Sequence, residues 1–173
     1  GDVIVLGDET YEVSSSIEFN KEGLTIVAAE GTSPIIKLTG EWESLELSAS
    51  TTFDGITFDG NNITKYPVTS TGTNASTYIF TNCEFKNYVT YAISNPYDGG
   101  TYAESVVIDN CLFHDGGAAV CFNKRGYNGN AACKSFKMTN TTIYNVTCSE
   151  WVGIIHIASN EEATDAQNEV IID

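Results

Sequence analysis

Arginine is almost missing from this chain of 173 residues. Arg125 is its one copy, and Lys and Arg together number 8 against 23 Asp and Glu, for a formal net charge of −15. That balance excludes a nucleic-acid-binding surface, which needs clustered basic residues to displace phosphate counterions. An anionic membrane surface would repel such a chain as well. There is one Met and no long Ala/Leu/Glu/Lys segment, so no long helix is expected. No run approaches the roughly 18 apolar residues of a membrane-spanning helix, and no membrane insertion is expected. C-x-x-C is absent, and no Cys/His spacing suits zinc. Cys83, Cys111, Cys121, Cys133 and Cys148 therefore read as buried free thiols acting as small hydrophobes. A single domain of this length builds its core without disulfide staples. No charged leader precedes Val3–Leu6, as in a mature or trimmed chain.

What is present points to strands. Ile (16), Val (12) and Thr (20) outweigh Leu (6), and these β-branched residues fit a pleated, half-buried surface. Asn and Gly, 15 each, supply bends. An internal repeat arranges them. Phe53-Asp54-Gly55-Ile56-Thr57-Phe58 aligns with Phe80-Thr81-Asn82-Cys83-Glu84-Phe85, Ile108-Asp109-Asn110-Cys111-Leu112-Phe113 and Met138-Thr139-Asn140-Thr141-Thr142-Ile143. From Phe58 to Phe85, Phe113 and Ile143 the steps are 27, 28 and 30 residues, and Val170–Asp173 starts a further copy. Each copy alternates apolar-in and polar-out, bends at Asn or Gly, then alternates again. Short parallel strands stacked coil on coil satisfy that pattern. A βαβ sheet does not, because no helical segment separates the strands.

Stacking makes columns of equivalent residues. Asn82, Asn110 and Asn140 are expected to form a buried amide ladder that ends at Gly55. Phe58, Phe85, Phe113 and Ile143 should form an inner stack, with Ile56, Cys83, Cys111 and Thr141 as a second. Cys83 and Cys111 become neighbours without a disulfide, since parallel strands point both sulfurs the same way.

The x-Asn-Cys-x-Phe-x-Asn/Asp punctuation and the opening Gly1–Leu6 with Tyr11 resemble the right-handed parallel β-helix of the pectate-lyase-like superfamily. The likeness spans residues 1–173 and looks most like β-helix proteins, many uncharacterised, that gut Bacteroidetes secrete or display. It implies an all-β solenoid of about six coils with three strands each. Val106–Asp109 would be a second strand, Cys111–Phe113 a third, His114–Gly117 the third turn, and Ala118–Asn123 the next first strand. It also implies a secreted or cell-surface location and a polysaccharide or surface glycan as partner.

Long insertions, residues 61–77, 96–105, 124–135 and 159–169, fall at one corner beside the first-strand sheet, which lines the glycan groove in enzymes of this fold. Their rim offers Tyr66, Tyr97, Tyr102 and Tyr127 for stacking on sugars. Asp98 and Glu104 stand beside them, with Glu161, Glu162 and Asp165 further along. No cofactor is implied. Calcium through Asp98 and Glu104 would need a dense ligand loop, and none occurs. For catalysis, a hydrolase needs paired carboxylates, which strands 91–95 and 119–123 lack. A lyase needs a base and a cation, for which Lys124 and Arg125 are the candidate pair. His114 is expected to cap a turn and His156 to face outward from a strand. Four N-x-S/T sequons, at Asn62, Asn74, Asn140 and Asn145, are near chance for this composition.

Three readings follow: a non-catalytic glycan-binding or adhesin-like module, a polysaccharide lyase or hydrolase (or a fragment of one), and a structural stalk. The absence of groove carboxylates favours the first and third, and the clustered rim tyrosines favour the first. No capping segment is recognisable at either end. The chain is therefore expected to be a piece of a longer protein, open to self-association through its uncapped coils.

Overall fold

The computed structural model describes residues 1–95, 101–123, 132–148, 153–158 and 169–173. The described elements are all strands, three to a coil. The first coil is β1 (Val3–Leu6), β2 (Thr10–Val13) and β3 (Ile17–Phe19). The second is β4 (Leu24–Ala28), β5 (Ile35–Leu38) and β6 (Leu45–Leu47), and the third β7 (Thr51–Asp54), β8 (Thr57–Asp59) and β9 (Val68–Ser70). The fourth is β10 (Ser76–Thr81), β11 (Glu84–Lys86) and β12 (Tyr91–Ser94). The fifth is β13 (Ala103–Asp109), β14 (Leu112–Gly116) and β15 (Ala118–Asn123), and the sixth β16 (Cys133–Thr139), β17 (Thr142–Val146) and β18 (Ile155–Ala158). β19 (Glu169–Ile172) opens another.

Like strands pair in parallel with their neighbours one coil away and make three sheets. Sheet A is β1-β4-β7-β10-β13-β16-β19, sheet B is β2-β5-β8-β11-β14-β17, and sheet C is β3-β6-β9-β12-β15-β18. The chain is a parallel β-helix, and sheet C holds the first strands of the repeat.

The core follows from register. Phe85 pairs with Phe58 on one side and Phe113 on the other. Their rings stack at 4.6 Å with interplanar angles of 12° and 3°. On sheet A, Phe53 and Phe80 stack at 5.6 Å and 5°. The two stacks meet edge to face across the bend, Phe53 on Phe58 at 5.3 Å and 79°. Aromatic rings favour both arrangements over a perfect sandwich. Cys83 and Cys111 lie behind these rings as free buried thiols, and burial pushes the Cys83 thiol pKa upward. Cys148, expected inside, is exposed, because the alternation ends before it.

The Asn column exists but is not buried. Asn82, Asn110 and Asn140 are exposed and have φ of 54°, 51° and 51°, with Gly55 at 73° in the equivalent place. A left-handed bend of this kind swings the side chain out of the corner. Asn and Gly tolerate it where other residues pay about 1–2 kcal/mol. Asn110 Nδ2 donates to Asn82 Oδ1 (2.6 Å), and Asn82 Nδ2 to Asp54 Oδ1 (2.7 Å). Asp54, not Gly55, ends the ladder. Asn140 bonds Asp109 Oδ1 at 2.9 Å instead of Asn110, so engagement rather than burial occupies this sequon amide. The bend backbone is paired as well: Asn82 N–H donates to Asp109 O, and Asn110 N–H to Thr139 O.

A second left-handed column follows sheet B at Asn87, Asp115 and Asn145. The expected turn at His114–Gly117 is thereby corrected. β14 continues through Gly116, so His114 lies on a strand. Gly116 and Gly117 then let the chain pass the fourth coil, since a Cβ at Gly116 would meet the Tyr88 ring at 2.7 Å and one at Gly117 the Thr90 carbonyl at 2.1 Å.

The expected 61–77 insertion is also corrected, because it contains β9. Residues 60–67 join sheet B to sheet C, and 71–75 join sheet C to sheet A. A three-residue Val-Thr-Ser strand is too short for its alternation to stand out among Thr, Ser, Asn and Gly. At the two ends of the stack, β1 and β19 leave Val3, Val5, Val170 and Ile172 exposed.

Phe85→Ala should destabilise the fold by about 3–5 kcal/mol through cavity formation, visible as a lowered denaturant midpoint. An unchanged midpoint would contradict the ring stack. Asn110→Ala should cost about 1–2 kcal/mol by forcing a left-handed alanine, whereas Asn110→Gly should cost less. Equal losses in thermal melts would assign the stability to the amide ladder rather than to the backbone.

Candidate functional site

Three aromatic rings line the corner where the chain enters sheet C. Trp42 stands three residues ahead of Leu45, Tyr66 two ahead of Val68, and Tyr91 two ahead of Ile93. Leu45, Val68 and Ile93 are successive register partners, so the rings sit one coil apart along the axis. Trp42 and Tyr66 are 6.1 Å apart at 42°, and Tyr66 and Tyr91 are 5.9 Å apart at 30°. Trp42 is 63% exposed, and the two tyrosines are half-buried. Beyond Tyr91 the register partner is Ala118, where the ladder stops.

The backbone beneath the rings is tied between coils. Lys65 N–H donates to Glu41 O (2.9 Å), Tyr91 N–H to Lys65 O (3.0 Å) and Leu45 N–H to Pro67 O (2.9 Å). The buried Thr64 hydroxyl donates to Gly40 O at 2.7 Å. The Lys65 ammonium lies 3.7 Å from the Trp42 ring centroid and 2.6 Å from Glu41 Oε1, a cation–π contact backed by an ion pair. Burial, with the Cys121 thiol and Tyr66 adjoining, pushes the Tyr91 phenol up to about 12, so it stays a neutral hydroxyl. The ladder borders the outer face of sheet C, whose row in register is Glu18, Glu46, Thr69, Ser94, Cys121 and His156, with Ser94 and Cys121 buried. Chemically this is a platform for stacking on flat apolar faces, with polar groups at its edge.

Of the rim residues expected from sequence, Tyr66 is in this ladder. Tyr102 and Glu104 are together at the opposite corner, where sheet C leads to sheet A. One sheet C strand of about four residues, roughly 13 Å, separates the two corners, so the single rim expected from the insertions is two rims. Tyr102 is 8% exposed. Its hydroxyl donates to Glu104, and Glu104 Oε1 meets Lys134 Nζ at 3.3 Å. Burial and the neighbouring Glu104 carboxylate raise the Tyr102 phenol pKa. The bond from Tyr102 holds the Glu104 carboxyl below its usual range. Tyr97, Asp98, Lys124, Arg125 and Tyr127, with Glu161, Glu162 and Asp165, lie outside the described residues. Trp42, Lys65 and Tyr91 complete the ladder but are absent from the expected rim. Their signal is a ring at the start of each first strand or two to three residues before it, which shows only once β9 is recognised.

A separate polar cluster occupies the outer face of sheet B. His114 Nδ1 is 2.7 Å from Asp115 Oδ2, and Nε2 is 2.8 Å from Glu84 Oε1. Glu84 Oε2 also accepts from Thr57 Oγ1 (2.9 Å) and Lys86 Nζ (3.4 Å). Tyr144 stacks on the imidazole at 4.9 Å and 5°. Burial works against the imidazolium, but bonds to Asp115 and Glu84 outweigh it and raise the His114 pKa. For Glu84, burial is likewise outweighed by the bond from His114, and its pKa is lowered. Among the described residues no group of three or more His, Cys, Asp or Glu is arranged to hold a metal ion, and no helix is long and apolar enough to cross a membrane.

The family described as Domain of unknown function (DUF4957) matches residues 9–146. The chain belongs to that family, and the match takes in the aromatic ladder and the His114 cluster. No curated protein matches the chain.

Stability should depend on pH through His114. A raised folded pKa gives support that is complete below the ordinary value of 6.5 and is lost as pH rises through the raised value. The lowered pKa of Glu84 works from the other side, its support fading as pH falls through the depressed value. Wild type should therefore lose more melting temperature than His114→Gln as pH rises from mildly acidic to mildly alkaline. Parallel melting curves for the two proteins would contradict the assignment.

Proposed function

We propose that this DUF4957 member is a non-catalytic glycan-binding β-helix module of a secreted or cell-surface protein, similar in plan to the pectate-lyase-like superfamily. The observation that carries the reading is the axial ladder of Trp42, Tyr66 and Tyr91 beside sheet C. Sugar rings present flat C–H faces that stack on exposed aromatic rings, and a polymer repeats those faces along its length. A ladder with one ring per coil offers matching repeats on a rigid scaffold. Preorganisation of that kind lowers the ordering cost of binding.

The rings also stand in the geometry that a stalk would not need. The Trp42 ring meets Lys65 and Tyr66 and is otherwise 63% exposed. An adhesin-like role follows if the glycan belongs to another cell's surface, and a capture role if it is a free polysaccharide.

A glycan array with the purified protein, followed by calorimetry on the hits, tests the reading. Trp42→Ala should weaken binding by roughly 30-fold, the loss that truncating an aromatic anchor brings, with melting temperature nearly unchanged. Tyr66→Ala should weaken it in the same direction. No unsaturated product should form when absorbance is followed over hours with the bound polymer. Binding that survives Trp42→Ala intact, or no glycan binding at all, would overturn the proposal, and product formation would turn it to a lyase.

A further inference from the structure

The ladder stands in an acidic setting. Glu41 and Glu43 flank Trp42 in sequence, and Glu18 and Glu46 are outward register partners on the adjoining strands β3 and β6. Glu43 folds its carboxylate against Gly40, where a side chain would collide with it, and its Oε2 is buried without a hydrogen-bond partner. Among the described residues, Lys65 is the ammonium in contact with the ladder, and it is committed on two sides: to Glu41 Oε1 at 2.6 Å and to the Trp42 ring at 3.7 Å. The whole chain, at −15, adds a repulsive field of the same sign.

A carboxylate or sulfate on a sugar seated here would meet the outward carboxylates of Glu18 and Glu46 and would have to take Lys65 from Glu41. An uncharged sugar meets no such barrier, and its hydroxyl groups can donate to the flanking carboxylates. Charge exclusion of this kind gives specificity by penalising the wrong ligand rather than by improving the right one.

Resting on the glycan-binding reading above, we propose that the Trp42–Tyr66–Tyr91 ladder takes a glycan chain free of carboxylate and sulfate groups, spans three rings of it, and rejects polyanionic polymers. Lys65 and Glu41 act as a specificity pair: while joined they present no free cation to an acidic sugar.

The test uses an array carrying neutral polysaccharides beside uronate and sulfated counterparts of the same backbones, probed with wild type, Trp42→Ala and Glu41→Gln. Wild type should favour uncharged members over their uronate and sulfated counterparts, through Trp42, and its affinity for them should change by less than about twofold between about 0.05 and 0.5 M salt, since screening removes little from an uncharged ligand. Glu41→Gln frees Lys65 and should tighten binding to uronate members by roughly two- to fivefold, the range an exposed ion pair carries. Trp42-dependent binding of wild type to a uronate or sulfated polymer, weakened by salt, would overturn the charge selection and leave the glycan-binding reading standing. Failure of every glycan to bind through Trp42 would remove both.

Discussion

In a parallel ladder each residue lies over its counterpart one coil away, and every stacked position must hold a side chain that tolerates a copy of itself or a complement. Phe58, Phe85 and Phe113 tolerate copies because offset ring faces attract. An Asn amide tolerates a copy because it carries both donor and acceptor, so Asn110 can give to Asn82 while Asn82 gives onward. A carboxylate has only acceptors, and Asp54 and Asp109 stand where an Asn amide donates into them. The same rule governs the bends, where a left-handed backbone is repeated coil after coil and only Asn, Asp or Gly takes it cheaply.

Charge obeys the rule through alternation. On sheet B the outward row runs Lys37, Asp59, Lys86, His114. The first three alternate in sign, but Lys86 and a protonated His114 would be like charges side by side. Glu84 relieves this by bonding both, at 3.4 Å and 2.8 Å, and Asp115 takes the other imidazole nitrogen. The cluster is best understood as a fastening between the fourth and fifth coils whose strength follows the charge of one imidazole. With both ring nitrogens already bonded to carboxylates, the imidazole has no nitrogen free to meet a substrate, which separates it from the groups a catalytic base would need.

The core was legible because its signals repeat. Phe at steps of 27 and 28, an Asn two residues after an inward apolar residue, and strict alternation together leave one register, and Val106, Ile108, Phe113, Phe136 and Met138 are buried as that register requires. What stayed hidden involves departures from the period. β9 is three residues of Val-Thr-Ser, so its corner merged with the next and Tyr66 was placed beside Tyr102 rather than a strand's length away. His114 looked like a turn residue because Asp115-Gly116-Gly117 follows it, whereas the left-handed turn falls at Asp115 inside the strand pairing. Whether an Asn column is buried cannot be read from spacing, since spacing fixes which coil a residue sits over and not which way a left-handed bend turns its side chain.

The contrast between the two kinds of aromatic stack bears on function. Inside, stacked rings lie 4.6 Å apart on sheet B and 5.6 Å apart on sheet A, all within 12° of parallel. At the sheet C corner they lie about 6 Å apart and tilt by 30° to 42°, although the register partners beneath them are spaced as elsewhere in the ladder. Packing alone would bring such rings parallel, as it does in the core, because face-to-face overlap removes more apolar area from water. The corner loops instead hold them apart by separate anchors: Lys65 with Glu41 for Trp42, the Lys65 carbonyl for the Tyr91 backbone, and the Thr64 hydroxyl for the strand approach. Corners are also where coil length can change without disturbing register, so a ring can be set at the start of its strand, as Tyr91 is, or two or three residues before it, as Tyr66 and Trp42 are. Rings kept tilted, with Trp42 exposed and the two tyrosines half-buried, are complementary to a ligand with flat faces of its own, and that complementarity, rather than the fold, is what argues for binding.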